Sequence, residues 1–220
     1  MARSVKAPLA AWIACAAALV LLTLVAYGIE AAQRADATLL VRFMADGARL
    51  DSVANVLAHL ADPLPLLLML AGACAVALRR NRPLDAIAAV TVVAGANLTT
   101  QILKVALAHP RFQPVLGHDQ LGPVAFPSGH ATAAASIAIA FVLVVPANRR
   151  AVVAFAGAVF VAAVGCSILI LSWHFPSDVL GGVLVACGWG FAVLAARRGV
   201  EGSHFRRRPQ VASRPAISVK

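Results

Sequence analysis

Seven residues of this chain have types and spacings that suit chemistry on phosphorus. Ser128, Gly129 and His130 lie in the stretch Phe126-Pro127-Ser128-Gly129-His130, between two long apolar runs. A small, flexible turn followed by a helix start offers unpaired backbone N–H groups to an anion, and an imidazole beside them can give or take a proton. His174 precedes Asp178 by four residues, one helical turn, with Pro176 suited to the first turn between them. A carboxylate one turn from an imidazole fixes its tautomer and raises the basicity of its far nitrogen, as in an activated histidine nucleophile or base. Lys104 closes one apolar run and Arg111 follows it, and both side chains suit a phosphate. The sum is a cationic pocket with two histidines: one to attack phosphorus, the other to protonate the departing oxygen.

Taken singly, some of these residues are ordinary. A lone lysine at a helix end commonly snorkels to the interface. His59, His109 and His118 read as plain interfacial or loop histidines. Asp178 is different, because a carboxylate inside an apolar segment is costly and normally has a partner. No carboxylate cluster is available to hold magnesium, so metal-independent chemistry with no cofactor is expected. The chain has no H-E-x-x-H, no Walker loop and no G-x-S-x-G.

The elements that must position these residues are membrane helices. The 220-residue chain is 61% hydrophobic and only 13% charged, with a mean hydropathy of +0.85. Soluble domains carry about a quarter charged residues, so the expected fold is all-α and polytopic. Six apolar segments can be marked: Ala7 to Ile29, Asp62 to Arg79, Asp85 to Lys104, Ser128 to Pro146, Ala151 to Leu171 and Ser177 to Ala196. The first is too long for a signal-peptide core and reads as a retained helix. Spanning takes about 20 residues, so the second and third are expected to extend into their flanks. Between the first two, Leu39, Leu40, Phe43, Leu50, Val53, Val56, Leu57 and Leu60 recur at helical spacing among charged residues. That pattern predicts one or two interfacial amphipathic helices over about 33–61, broken near Asp46-Gly47. The membrane domain thus covers 1–198, and 199–220 reads as a basic, disordered cytoplasmic tail drawn to anionic headgroups.

The net charge of +10 would suggest nucleic acid, but the basic residues stand in small groups between apolar runs, so no nucleic-acid partner is expected. Fourteen of the 19 basic residues lie at the N-terminus, in the second and fourth connections and in the tail; Arg34, Arg42, Arg49, Lys104 and Arg111 lie on the other side. This alternation places both termini in the cytoplasm and the seven site residues at the outer face. Cys15, Cys74, Cys166 and Cys187 each sit in an apolar run and read as small buried hydrophobes rather than a disulfide frame or a zinc site.

Three motifs in order resemble the type 2 phosphatidic acid phosphatase superfamily, which also holds bacterial acid phosphatases and vanadium haloperoxidases. They are Lys104-Val-Ala-Leu-Ala-His-Pro-Arg111, Pro127-Ser128-Gly129-His130 and His174-Phe-Pro-Ser-Asp178, the last followed by Val179-Leu180-Gly181-Gly182. The resemblance implies that His174 is the nucleophile forming a phosphohistidine, that Asp178 orients it, and that His130 is the acid for the leaving group. It implies that Lys104, Arg111, Ser128 and Gly129 hold the phosphate. Two positions depart from the family pattern. Phe112 stands where the family has proline, and Ile168, after a retained Ser167, stands where the family has a phosphate-binding arginine.

These readings lead to an integral lipid phosphatase of a bacterial inner (cytoplasmic) membrane, with its site facing the periplasm or exterior. Its partners would be membrane lipids and a phosphorylated lipid: undecaprenyl pyrophosphate, phosphatidylglycerophosphate, phosphatidic acid or lipid A phosphate. Passing the phosphoryl group to another lipid would make it a phosphotransferase. A second reading, which Ile168 favours, is a catalytically weakened or inactive phospholipid-binding homologue. A transporter or channel fits poorly, because the polar residues gather at one face rather than along a pathway.

Overall fold

The proline and glycine punctuation of the sequence divides the chain into helices. The computed structural model describes residues 4–118 and 120–206, and among them every regular element is helical. The helices are α1 (Lys6–Gly28), α2 (Glu30–Gly47), α3 (Asp51–His59), α4 (Pro63–Arg79), α5 (Pro83–Ala106), α6 (Gly129–Val144), α7 (Arg150–Ile170) and α8 (Pro176–Arg206). Proline opens α4, α5 and α8, where its missing N–H is harmless and its fixed φ favours the first turn. Asn81, in the left-handed region at φ 54°, lets the chain reverse between α4 and α5.

Helices α1, α5 and α8, together with α7 and its preceding turn, are long and apolar enough to cross a bilayer, and the chain is a multi-pass membrane protein. The pair α3 and α4, bent by 54°, makes a fifth span if it is one broken segment. Six spans were expected, and length alone does not deliver the last: α6 has 16 residues, about 24 Å against a hydrocarbon core of about 30 Å. The physical reason is enclosure. Helix α6 packs against α4, α5, α7 and α8, and an unbroken run from Ala131 to Ile137 is buried, so protein rather than lipid surrounds it. The amphipathic segment is two helices, α2 and α3, joined by a short 3-10 turn at Ala48–Leu50, close to the expected break. Helix α8 continues past the boundary placed at residue 198, to Arg206. Residues 207–220, the rest of the expected tail, lie outside the described residues.

The helices meet through small side chains. One core cluster is built largely from alanines, including Ala73, Ala77, Ala89, Ala133, Ala134 and Ala140, which lets helix backbones approach closely where lipid supplies no hydrophobic drive. Buried Thr132 ties three helices together: its hydroxyl meets that of Thr100 in α5 at 2.8 Å and reaches the Ser128 and Gly182 carbonyls at 2.9 and 3.3 Å. At the opposite end of the bundle, buried Asp85 of α5 pairs with Arg82 and with Arg197 of α8.

The start of α6 lies so close to α8 that Gly182 has no room for a side chain. A Cβ there would stand 2.5 Å from the Ser128 carbonyl oxygen and 3.0 Å from the Thr132 amide nitrogen. Gly182→Ala is therefore expected to destabilise the protein by about 1–3 kcal/mol, read as a lowered midpoint of thermal unfolding in detergent. Gly72→Ala, where a Cβ meets nothing within 4 Å, is expected to leave that midpoint in place.

Candidate active site

Asp178 sits in the first turn of α8 and is fully buried. One carboxylate oxygen, Oδ2, accepts the Phe175 amide at 2.9 Å and stands 3.5 Å from His174 Nδ1. The other, Oδ1, pairs with Arg111 Nη2. The backbone carbonyl of the same residue accepts the Ser128 N–H at 2.9 Å. One residue thereby holds together all three segments singled out in the sequence. The His174–Asp178 distance is just longer than a hydrogen bond.

The two histidines come together. His174 is 7% exposed, and its ring centroid lies 6.4 Å from that of His130. His130 Nε2 is 3.2 Å from Asp62 Oδ1, and its ring leans on Trp173 at 5.3 Å. Ser128 is the N-cap of α6, its hydroxyl accepting the Ala131 amide at 3.3 Å. Cap and carbonyl strut occupy Ser128's own hydroxyl and N–H, so Gly129 and His130 supply the open amides of the first turn. Lys104, near the end of α5, donates to the Val124 and Ala125 carbonyls at 2.9 and 3.4 Å. Its Cε passes 3.8 Å from where a Gly129 Cβ would be, so this cation lies against the α6 start.

Arg111 is placed differently from a freely offered phosphate ligand. It is 7% exposed, donates to Ser177 Oγ at 3.0 Å and pairs with Asp178. A second carboxylate, Asp36 of α2, lies 3.6 Å away, and the guanidinium stacks over the rings of Phe175 and Tyr27 at 4.3 and 5.2 Å. Asp36 also accepts the Ser177 N–H at 3.0 Å and its hydroxyl. Burial pushes the Asp36 carboxyl above the usual carboxylate range, against the opposing pull of the Ser177 hydrogen bonds and the Arg111 charge.

Ile168 is fully buried in an apolar cluster with Ala58 of α3 and Ala131 of α6, bordered by Leu171 and Val179. Its side chain fills packed apolar space. Of the other histidines, His109 lies 6.1 Å from Tyr27, His59 packs on Trp173 at 5.7 Å, and His118 is exposed. Among the described residues, no three His, Cys, Asp or Glu side chains gather so as to hold a metal ion. Sequence reading missed Asp36, Asp62, Ser177 and Trp173. Only Asp62 carried a local signal: an acidic residue immediately before a Pro-x-Pro helix start.

Residues 85–200, more than half of the chain and holding every motif residue, match the family model described as the PAP2 superfamily. Among solved structures, a transmembrane PAP2-type phosphatidylglycerolphosphate phosphatase from Bacillus subtilis matches with a TM-score of 0.67 at 24% identity. The match covers 90% of this chain and 99% of that one, and the likeness is one of fold. Comparison with curated proteins finds no match.

Removing Arg111 strands a buried carboxylate. Arg111→Met is expected to cost about 3–5 kcal/mol of stability, with a large fall in unfolding midpoint. Lys104→Met, at the rim of the site, is expected to leave the midpoint nearly unchanged while removing activity. Comparing the two variants by thermal unfolding and phosphate release separates a structural cation from a substrate-facing one.

Proposed function

The chain belongs to the PAP2 superfamily, and from that membership we propose that it is an integral membrane lipid phosphatase working through a phosphohistidine. The observation that carries the reading is the convergence on Asp178 of Arg111, Ser128 and His174, which leaves two histidines facing one another beside Lys104. In the proposed reaction His174 attacks phosphorus while His130 protonates the departing oxygen. Asp178 holds the attacking ring and stabilises its positive charge. Lys104 and the amides of Gly129 and His130 receive the phosphoryl oxygens, and Arg111 contributes its charge from one layer behind. Water then attacks the phosphohistidine, with His130 taking its proton, and phosphate leaves.

The charge distribution supports six spans with both termini cytoplasmic and the site at the outer face of a bacterial cytoplasmic membrane. The named activity of the Bacillus relative makes phosphatidylglycerophosphate the first substrate to test, ahead of undecaprenyl pyrophosphate, phosphatidic acid and lipid A phosphate. The proposed chemistry needs no metal, because Lys104, Arg111 and backbone amides provide the positive field. Transfer of the phosphoryl group to a second lipid would use the same intermediate.

Ile168 favours a second reading, a phospholipid-binding homologue without catalysis, since losing one aligned donor can cost about a hundredfold or more in rate. The packing around Ile168 supports a site rebuilt without the arginine. Ile168→Arg would bury a guanidinium against Ala58 and Ala131, so both activity and stability are expected to fall; a rise in activity would mean that the missing charge is uncompensated.

The deciding experiment measures phosphate release from the four lipids by purified protein in detergent containing EDTA. Release that survives EDTA and disappears in His174→Ala is the expected result. Lipid binding with no release from any of the four would overturn the phosphatase reading.

A further inference from the structure

Asp62 occupies a helix N-cap but does not cap the helix. Its backbone has the extended N-cap conformation (φ −66°, ψ 160°) ahead of α4, yet its side chain makes no capping hydrogen bond. An N-cap aspartate normally accepts an amide two or three residues on. In Asp62-Pro63-Leu64-Pro65 the residue three on is a proline, which has no N–H to give. The carboxylate turns instead to His130, with Oδ1 3.2 Å from Nε2. The 54° bend between α3 and α4 brings it to the mouth of the site.

His130 is surrounded by groups that bear on its protonation. Asp62 faces it from the residue ahead of α4 and Lys104 from the end of α5. His174, with Asp178 behind it, faces it from the bend ahead of α8, and His59 of α3 stands beyond the Trp173 ring. Among these, Asp62 is the carboxylate within hydrogen-bond reach; Asp178 is committed to Arg111 and the Phe175 amide. A buried imidazole next to a cation and a second imidazole is a poor place for a proton, and a neighbouring carboxylate opposes that tendency.

We propose that Asp62 is a positioning residue for His130, holding Nε2–H and favouring the protonated ring, so that the site contains two carboxylate–histidine pairs facing one another. The proposal rests on the phosphatase reading for its catalytic meaning. As the bond from phosphorus to His174 forms and the bond to the departing oxygen breaks, the other ring N–H of His130 delivers the proton to that oxygen. In the second half the attacking water returns a proton to the same nitrogen, while Asp62 keeps its hydrogen bond throughout.

The test compares the full-length wild type with Asp62→Asn and Asp62→Glu. Asparagine caps helices as well as aspartate, so a role confined to starting α4 survives Asp62→Asn. The expected result is a pH–rate profile whose alkaline limb moves down by about one pH unit in Asp62→Asn, about tenfold less activity above that limb, little change below it and an unchanged KM. Asp62→Glu is expected to restore most of the limb. A profile of unchanged shape, whether or not its height falls, overturns the proposal. The His130 titration, followed by NMR on histidine-labelled protein in micelles, separates this idea from the function it rests on. Wild-type protein that releases no phosphate counts against the phosphatase reading, whereas a His130 midpoint unmoved by Asp62→Asn counts against Asp62.

Discussion

A carboxylate with no access to water must be surrounded by donors, and Asp178 meets that demand by gathering the chain around itself. Its oxygens take a guanidinium from the α5–α6 connection and an amide from its own helix start, while its carbonyl takes the amide that opens α6. An isolated buried charge would cost several kcal/mol, so the three segments are held to one arrangement by the need to satisfy it. The cation is constrained in turn. Arg111 lies between the rings of Phe175 and Tyr27 and is shared with Asp36 and Ser177, which leaves it little freedom to leave the carboxylate.

Close approach of backbones makes this geometry possible. Gly182 admits the Ser128 carbonyl, and Gly181 lies under Phe126 and Pro127, so the turn that carries Ser128 can settle directly on α8. Thr132 then ties the same corner to α5. His130 is therefore fixed in the first turn of α6, and His174 in the short bend just ahead of α8. Helix α2 joins the same network through Asp36, two turns into a segment that otherwise reads as surface.

The parts of the site that follow from one stretch of chain could be read from the sequence. The pairing of His174 with Asp178 follows from their spacing of four, although the structure places His174 in the bend ahead of α8 rather than within its first turn, and Ser128 is a helix cap written in its neighbours. Arg111 was legible as a cation for this site, but its burial against two carboxylates was not, because that depends on Asp36 and Asp178 meeting it from elsewhere. Asp36 reaches Ser177 across 141 positions and Asp62 reaches His130 across 68. No periodicity records such pairings, and in the sequence each aspartate looks like the polar side of an amphipathic helix or a helix boundary. The span count shows the same limit. Hydropathy sees α1, α5, α7 and α8 clearly, while α6 is short because its surroundings are other helices, a fact about neighbours and not about its own residues.

The position of Asp178 along the chain bears on how the protein is made. It belongs to the last described helix, whereas Arg111 and Asp36 are synthesised well before it. In the finished fold Arg111 and Asp36 lie 3.6 Å apart, and both meet α8, Arg111 through Asp178 and Asp36 through Ser177. A chain interrupted before residue 178 therefore carries Lys104, Arg111 and His130 without the carboxylate that organises them. The seven candidate residues therefore come together only once α8 is in place, because Asp178 is the group that joins their segments.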